Sequence, residues 1–176
     1  QIEAISADLS DLAHRGAVQQ NAVISTVEVL LKALAQVYVS SERQGGQGCA
    51  VLKDGVRIEH DVLSNISIVG RNGRVLCSTH PGLVGLDITD RPYFHQALTT
   101  RQFVLSDYLI ARLNSSAALM AAMPTSMVDD NIEAVIVTSV QLNWLSRMLS
   151  EFQMRSGTRA FLLDSAGTVL AATGEA

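Results

Sequence analysis

The stretch Asp90-Arg91-Pro92-Tyr93-Phe94 is the part of this chain best equipped for chemistry, and the chemistry it suits is anion binding. A guanidinium is always charged and presents a planar fork that can give two parallel hydrogen bonds to a carboxylate, a geometry lysine cannot reproduce. Tyr93 adds a hydroxyl on an apolar body, and His95, just beyond the motif, can titrate near neutral pH. Each residue also has a plainer reading. Arg91 could pair with Asp87, Asp90 or Asp107, Tyr93 could be a core aromatic, and His95 could simply be exposed on its helix.

Other chemistries find little support. The four histidines, His14, His60, His80 and His95, show no metal-ligand spacing, and no nucleophile elbow, phosphate loop or dinucleotide fingerprint occurs. Serine is abundant, yet chain order alone proposes no Ser-His-Asp set. Neither catalysis nor a resident metal or cofactor is expected. The net charge is −4 and the 13 basic residues are scattered, so no Lys/Arg stripe offers counterion release against a nucleic-acid backbone.

A hydrophobic fraction of 48% and a charged fraction of 17% over 176 residues indicate one folded domain with appendages. No uncharged apolar run reaches the roughly 20 residues that cross a bilayer, and no secretory signal precedes the chain. The sequence starts inside a helical pattern and stops in a hairpin pattern, as expected of a segment of a longer protein, from which a removed membrane anchor would not be visible. Cys49 and Cys77 are either two unrelated buried thiols or a disulfide. A bridge closing a loop of about 27 residues would contribute roughly 3 to 4 kcal/mol and would require an oxidising compartment.

The elements that must position Arg91 follow from periodicity. From Gln1 to about Arg43, apolar residues at Ile2, Ile5, Leu9, Leu12, Val23, Val27, Leu30, Leu31, Leu34 and Val37 predict an amphipathic helix of some 40 residues, about 60 Å long. Such a helix outreaches one small domain, so part of its stripe is expected to face a partner helix. Gly45-Gly46-Gln47-Gly48 ends it, and Cys49 to His60 reads as a second, weaker helix. The period then changes to two. Asn65 to Val69, the turn Arg71-Asn72-Gly73-Arg74 and Val75 to Ser78 predict a hairpin. A loop over Pro81 to Gly85, a short helix over Asp90 to Thr99, and strands over Phe103 to Ala111, Ala117 to Thr125 and Ile132 to Leu142 follow. Asn143 to Gln153 reads as a helix carrying Trp144, Leu145, Met148, Leu149 and Phe152 on one side. Ala160 to Leu163 and Val169 to Ala172 then repeat the strand, Gly-turn, strand pattern.

In this order, the long helix, the hairpin with Leu76-Cys77-Ser78, the Asp90-Arg91-Pro92-Tyr93-Phe94 loop-helix, Ser106-Asp107-Tyr108 and Leu142-Asn143-Trp144-Leu145 resemble the Cache family of extracytoplasmic PAS-like sensor domains. The resemblance is detailed over Asn65 to Phe152, and the leading helix and trailing hairpin fit the double-Cache variety. It implies an α+β fold: a long N-terminal helix and a five-stranded antiparallel sheet with helices on one face, followed by an accessory hairpin or truncated second module. The implied organisation is a dimerisation and signalling helix over 1–43, a sensor module over 44–154, and a linker with hairpin over 155–176.

The resemblance further implies a periplasmic segment of an inner-membrane receptor, dimeric through the first helix and coupled to a histidine kinase, diguanylate cyclase or chemoreceptor output. In that setting Cys49 and Cys77 look like a disulfide. Amino-acid-binding members carry Arg-x-Trp, a Tyr on the following strand, a Tyr upstream and an Asp on the last strand. Arg91 and Tyr93 match the first element with Tyr for Trp, and Tyr108 matches the strand Tyr. Leu86 and Ser139 stand at the other two positions. Both departures fall on the amine side, and a buried ammonium without its carboxylate is costly. The expected ligand is therefore a small carboxylate or other anion, held by Arg91, Tyr93 and Tyr108 with Met120, Ala122, Ser139 and His95 around it. Trp144 is expected to pack the closing helix. The alternative is a ligand-free dimerisation module with a filled core.

Overall fold

The computed structural model of this chain describes residues 2–54, 62–112, 115–125, 131–151 and 159–173. Helix α1 spans Ile2–Arg43 and α2 spans Ala50–Asp54; the rest of the expected second helix, 55–61, lies outside the described residues. Strands β1, Leu63–Gly70, and β2, Val75–Ser78, form the expected hairpin. Its turn needs Gly73, whose φ is +79° and whose Cα faces the Thr89 methyl so closely that a Cβ would collide. A single 3-10 turn, Pro81–Leu83, precedes α3 at Pro92–Thr100. Next come β3 at Val104–Leu105, β4 at Leu109–Ile110, β5 at Ala117–Pro124 and β6 at Ala134–Gln141. Helix α4, Asn143–Glu151, and the hairpin of β7, Phe161–Leu163, with β8, Val169–Ala172, complete the described chain.

The α+β class and the antiparallel sheet are as the residues predict, with two corrections of detail. The main sheet runs β2-β1-β6-β5-β3, with β4 also paired to β5, so it has six strands instead of five. The run Phe103 to Ala111 is two short strands because Asp107-Tyr108 leaves the ladder after Ser106, whose amide still donates to the Met120 carbonyl at 2.8 Å. There the Ser106 hydroxyl accepts from the Met120 amide at 2.8 Å, and Asp107 accepts from the amide of Ser165 at 3.2 Å and from its hydroxyl. The Tyr108 amide in turn donates to Asp164 at 3.0 Å. The turn of the β7–β8 hairpin thus pins the break.

Helices also cover both faces of the sheet, not one. Helix α1 lays Val27, Leu31, Leu34, Ala35 and Tyr38 against Ile66 and Ile68 of β1, Leu119 and Ala121 of β5 and Ile136 of β6, with Trp144, Leu145 and Leu149 of α4 in the same cluster. By length and composition alone, the Ala13–Arg43 part of α1 could cross a membrane, although it carries charges that break every uncharged run. Here Val27, Leu31, Leu34, Ala35, Tyr38 and Val39 are core, while Val18 and Val29 are exposed. Val37, in the apolar stripe of which part is expected to face a partner helix, is 48% exposed. On the opposite face, Tyr93, Phe94 and Ala97 of α3 pack with Val69, Val104, Ala122, Val135 and Val137. Trp144 is buried in the closing helix as expected, while the Met148 side chain and Phe152 lie outside the described residues. Cys49 and Cys77 form a disulfide with Cα atoms 5.9 Å apart, joining the segment after α1 to edge strand β2.

Candidate functional site

The face under α3 is not filled. A cavity of about 60 Å³ lies between the sheet and the segment from Leu83 to Tyr93, lined by Asn65, Ser67 and Val69 of β1, Val75 of β2, Met120 of β5, and Val137 and Ser139 of β6, with Leu83, Leu86, Ile88, Arg91, Tyr93, Leu109, Ala111 and Arg112 around it. Register builds its floor. Met120 pairs with Ser139, and Val137 pairs with both Ser67 and Ala122, so side chains two apart on each strand point to the same side.

The wall is held by the edge of β2. The Val75 amide donates to the Leu86 carbonyl at 2.9 Å, and the Ile88 amide to the Gly73 carbonyl at 2.9 Å. Asp87 accepts from the amide of Thr89 at 2.8 Å and its hydroxyl at 2.6 Å. Those two Thr89 bonds, and then Arg74 and Arg112, hold its carboxyl below the usual aspartate range. The chain then enters α3 through Arg91, extended at φ −90° and ψ 119° ahead of Pro92, as the residue before a proline prefers. Arg91 is thereby fixed at the rim, at the positive end of a helix.

Three carboxylates could have neutralised Arg91, and each is engaged elsewhere. Asp90 pairs with Arg112, Asp87 with Thr89, and Asp107 with Ser165. Among the described residues Arg91 has no ion pair, and no acidic residue lines the cavity. Arg112 is braced by Asp90 and by the Asp87 carbonyl. Tyr93 is only 5% exposed. Burial pushes its hydroxyl up to about 12, an effect that Arg91 and Arg112 oppose and Asp90 reinforces.

Of the residues expected in the site, Arg91, Tyr93, Met120 and Ser139 come together at this cavity. Tyr108 does not. It is 38% exposed and lines a second, adjoining hollow toward the β7–β8 hairpin, which Arg91 and Tyr93 also line and which includes Asp107 and Asp164. Ala122 is sealed beneath α3, opposite Val104 of β3. His95 stands exposed on α3, its Nε2 bonded to the Thr89 carbonyl at 2.5 Å. Arg112, Asn65 and Ser67 were not anticipated. The alternation Asn65, Ser67, Val69 on β1 was the available signal for the latter two, whereas Arg112 follows β4 in a turn that periodicity does not place.

No family profile matches the sequence, and no curated protein matches it significantly. Solved structures do match in fold. The extracellular domain of rpHK1S-Z16, assigned as a histidine kinase, has a TM-score of 0.79 at 19% identity, over 98% of this chain and 73% of that one. The ligand-binding domain of the Pseudomonas fluorescens chemoreceptor CtaA, solved with L-serine, has a TM-score of 0.78 at 16% identity, covering 97% and 73%. That of the Campylobacter jejuni chemoreceptor Tlp3, solved with 4-methylisoleucine, has a TM-score of 0.71 at 19% identity, covering 92% and 67%. The chain therefore has the fold of the extracellular sensor domains of histidine kinases and chemoreceptors.

Proposed function

We propose that this chain is the extracytoplasmic ligand-sensing part of a membrane-bound signalling receptor and that it binds a small carboxylate at Arg91. The observation that carries the reading is an arginine without an acidic partner among the described residues, at the rim of a cavity that no acidic residue lines. A carboxylate there gains a charge-assisted bond, whereas the ammonium of an amino acid would meet two arginines and no counter-charge. Tyr93 supplies a second donor, and Met120 and Val137 an apolar wall. The fold of known sensor domains and the disulfide both favour an oxidising, extracytoplasmic location.

In this reading residues 1–43 are the dimerisation and signalling helix. The outward-facing Val18, Val29 and Val37, 55%, 67% and 48% exposed, would meet the same helix of a second copy. Residues 44–154 are the sensor module, and the hairpin after residue 155 opens a further module. The output is a histidine kinase, diguanylate cyclase or chemotaxis domain elsewhere in the protein. The segment itself catalyses nothing.

A thermal-shift screen of small carboxylates, amino acids, amines and inorganic anions tests it, with Arg91→Ala alongside. Ligand at a hundredfold excess over its Kd stabilises by about 2.7 kcal/mol, a rise of several degrees in Tm. The expected hit is a carboxylate that loses its effect in the variant while the variant's unliganded Tm stays near that of the parent. No hit at millimolar concentration, or an Arg91→Ala protein that is itself strongly destabilised, would favour a ligand-free dimerisation module.

A further inference from the structure

The floor of the cavity carries polar groups that the protein leaves unused. Asn65 and Ser139 are 5% and 4% exposed, and Tyr93 is 5% exposed. None of the three side chains has a hydrogen bond among the described residues. Ser67 is different: its hydroxyl donates to Ser78 Oγ at 2.9 Å, and Ser78 passes the bond to the Ile66 carbonyl at 3.2 Å. The one fully enclosed side-chain polar atom without a partner among the described residues is Trp144 Nε1. The polar atoms of Asn65, Ser139 and Tyr93 are therefore not enclosed; Asn65 and Ser139 line this cavity, and Tyr93 lines both it and the adjoining hollow. Buried polar groups are ordinarily hydrogen-bonded, so these are placed to bond an occupant.

Their chemistry differs from that of the rim. Arg91 selects negative charge. An amide and a hydroxyl on the sheet are neutral, and each can donate and accept. They suit a group that does both or accepts, such as a hydroxyl or ketone oxygen, and they carry no charge to offset an ammonium. The cavity is small, so the two ends of the ligand stand only a few atoms apart, and Met120 and Val137 cover the carbon skeleton between them.

We infer that the ligand is a short hydroxy- or oxo-carboxylate, its carboxylate at Arg91 and its neutral oxygen on Asn65 and Ser139, and that this floor is what rejects the matching amino acid. The inference rests on the carboxylate reading above but can fail without it.

Isothermal titration with isosteric sets separates the two. One set is L-lactate, pyruvate, propionate and L-alanine; the four-carbon set is 2-hydroxybutyrate, 2-oxobutyrate, butyrate and 2-aminobutyrate. Within a set the carboxylate is constant and only the neighbouring substituent changes. The hydroxy or oxo acid should bind about tenfold more tightly than the unsubstituted acid, the equivalent of one or two neutral hydrogen bonds, and the amino acid should bind most weakly. Ser139→Ala, or Asn65→Ala as an independent variant, should bring the hydroxy and unsubstituted acids to similar affinity, whereas Arg91→Lys should weaken every acid in the set. Equal affinity for substituted and unsubstituted acids would overturn the inference and leave the carboxylate reading standing, as would a preference that survives both floor variants. Tightest binding of L-alanine or 2-aminobutyrate would overturn it too. Failure of every acid would overturn both readings.

Discussion

The two faces of the sheet are made by the same strands and do opposite things. On the α1 side, Ile66 and Ile68 of β1 and Ile136 of β6 are fully buried, and their neighbours in the cluster are overwhelmingly apolar. On the α3 side, Asn65 and Ser67 of β1 and Ser139 of β6 sit one residue out of phase and meet a cavity. Because a strand's side chains alternate, a sequence can change one face without touching the other. Where stability is set, α1 packs Leu31 and Leu34 directly onto Ile66, Ile68 and Ile136. On the other face α3 packs over Val104, Ala122 and Val135, and beside it the segment from Leu83 to Arg91 leaves a cavity. A sensor built this way can drift in ligand without losing its fold.

A pair of substitutions on neighbouring positions of β6 tests that division most directly. Ile136→Ala leaves a hole in the face that α1 seals and should cost about 3 to 5 kcal/mol. Ser139→Ala, three residues on and on the cavity side, removes a hydroxyl without a hydrogen bond among the described residues, so stability should be unchanged or slightly higher. Urea unfolding of the two variants measures both. A loss above about 1.5 kcal/mol in Ser139→Ala would mean that the cavity face is structural after all.

The disulfide belongs to the α1 side, since Cys77 packs beside that core and α2, which follows Cys49, contributes Leu52 to it. Reduction, or Cys49→Ser with Cys77→Ser, should lower stability by about 3 to 4 kcal/mol, as expected for a loop of this length. Ligand affinity, measured well below the new Tm, should be nearly unchanged because neither cysteine lines the cavity. Loss of binding in the reduced but folded protein would show that β2 and the segment it holds, Leu86 to Ile88, depend on the bridge for their place.

These contrasts also show what the sequence could and could not reveal. Alternation and turn chemistry made the β1–β2 hairpin, β5, β6 and the Arg91-Pro92-Tyr93 entry to α3 legible, because each is governed by residues near in sequence. The break between β3 and β4 was not legible. It depends on Ser165, more than fifty positions away, bonding Asp107, and without it Tyr108 looked like a floor residue. Ala122 was assigned to the correct face, yet which residue on that face is covered by α3 and which is left open is decided by tertiary packing. The partners of Arg91 were equally hidden. Three aspartates lay within reach by sequence, and only the fold shows each of them held by another group. Arg112 entered the site for the same reason, drawn there by Asp90.

The two faces should also differ in their response to alkali, because each buries a tyrosine. Tyr93 lies on the cavity side with its hydroxyl pushed up to about 12. Tyr38 of α1 is also raised, by burial first and then by Glu42 and Glu133. An unfolded tyrosine ionises near pH 10, so between pH 10 and 12 the folded state holds protons that the unfolded state has released. Stability contributed by the neutral hydroxyl is therefore complete below pH 10 and is lost as pH rises through the folded value. For Tyr93 the fall should reach roughly 2 to 3 kcal/mol by pH 12. Guanidinium unfolding from pH 8 to 12 should show this slope, Tyr93→Phe should remove most of it, and Tyr38→Phe should remove less. A slope that persists in Tyr93→Phe and disappears in Tyr38→Phe would move the linkage to the α1 side. It would also leave the Tyr93 hydroxyl more open to solvent, and so a weaker contributor to ligand binding than Arg91 beside it.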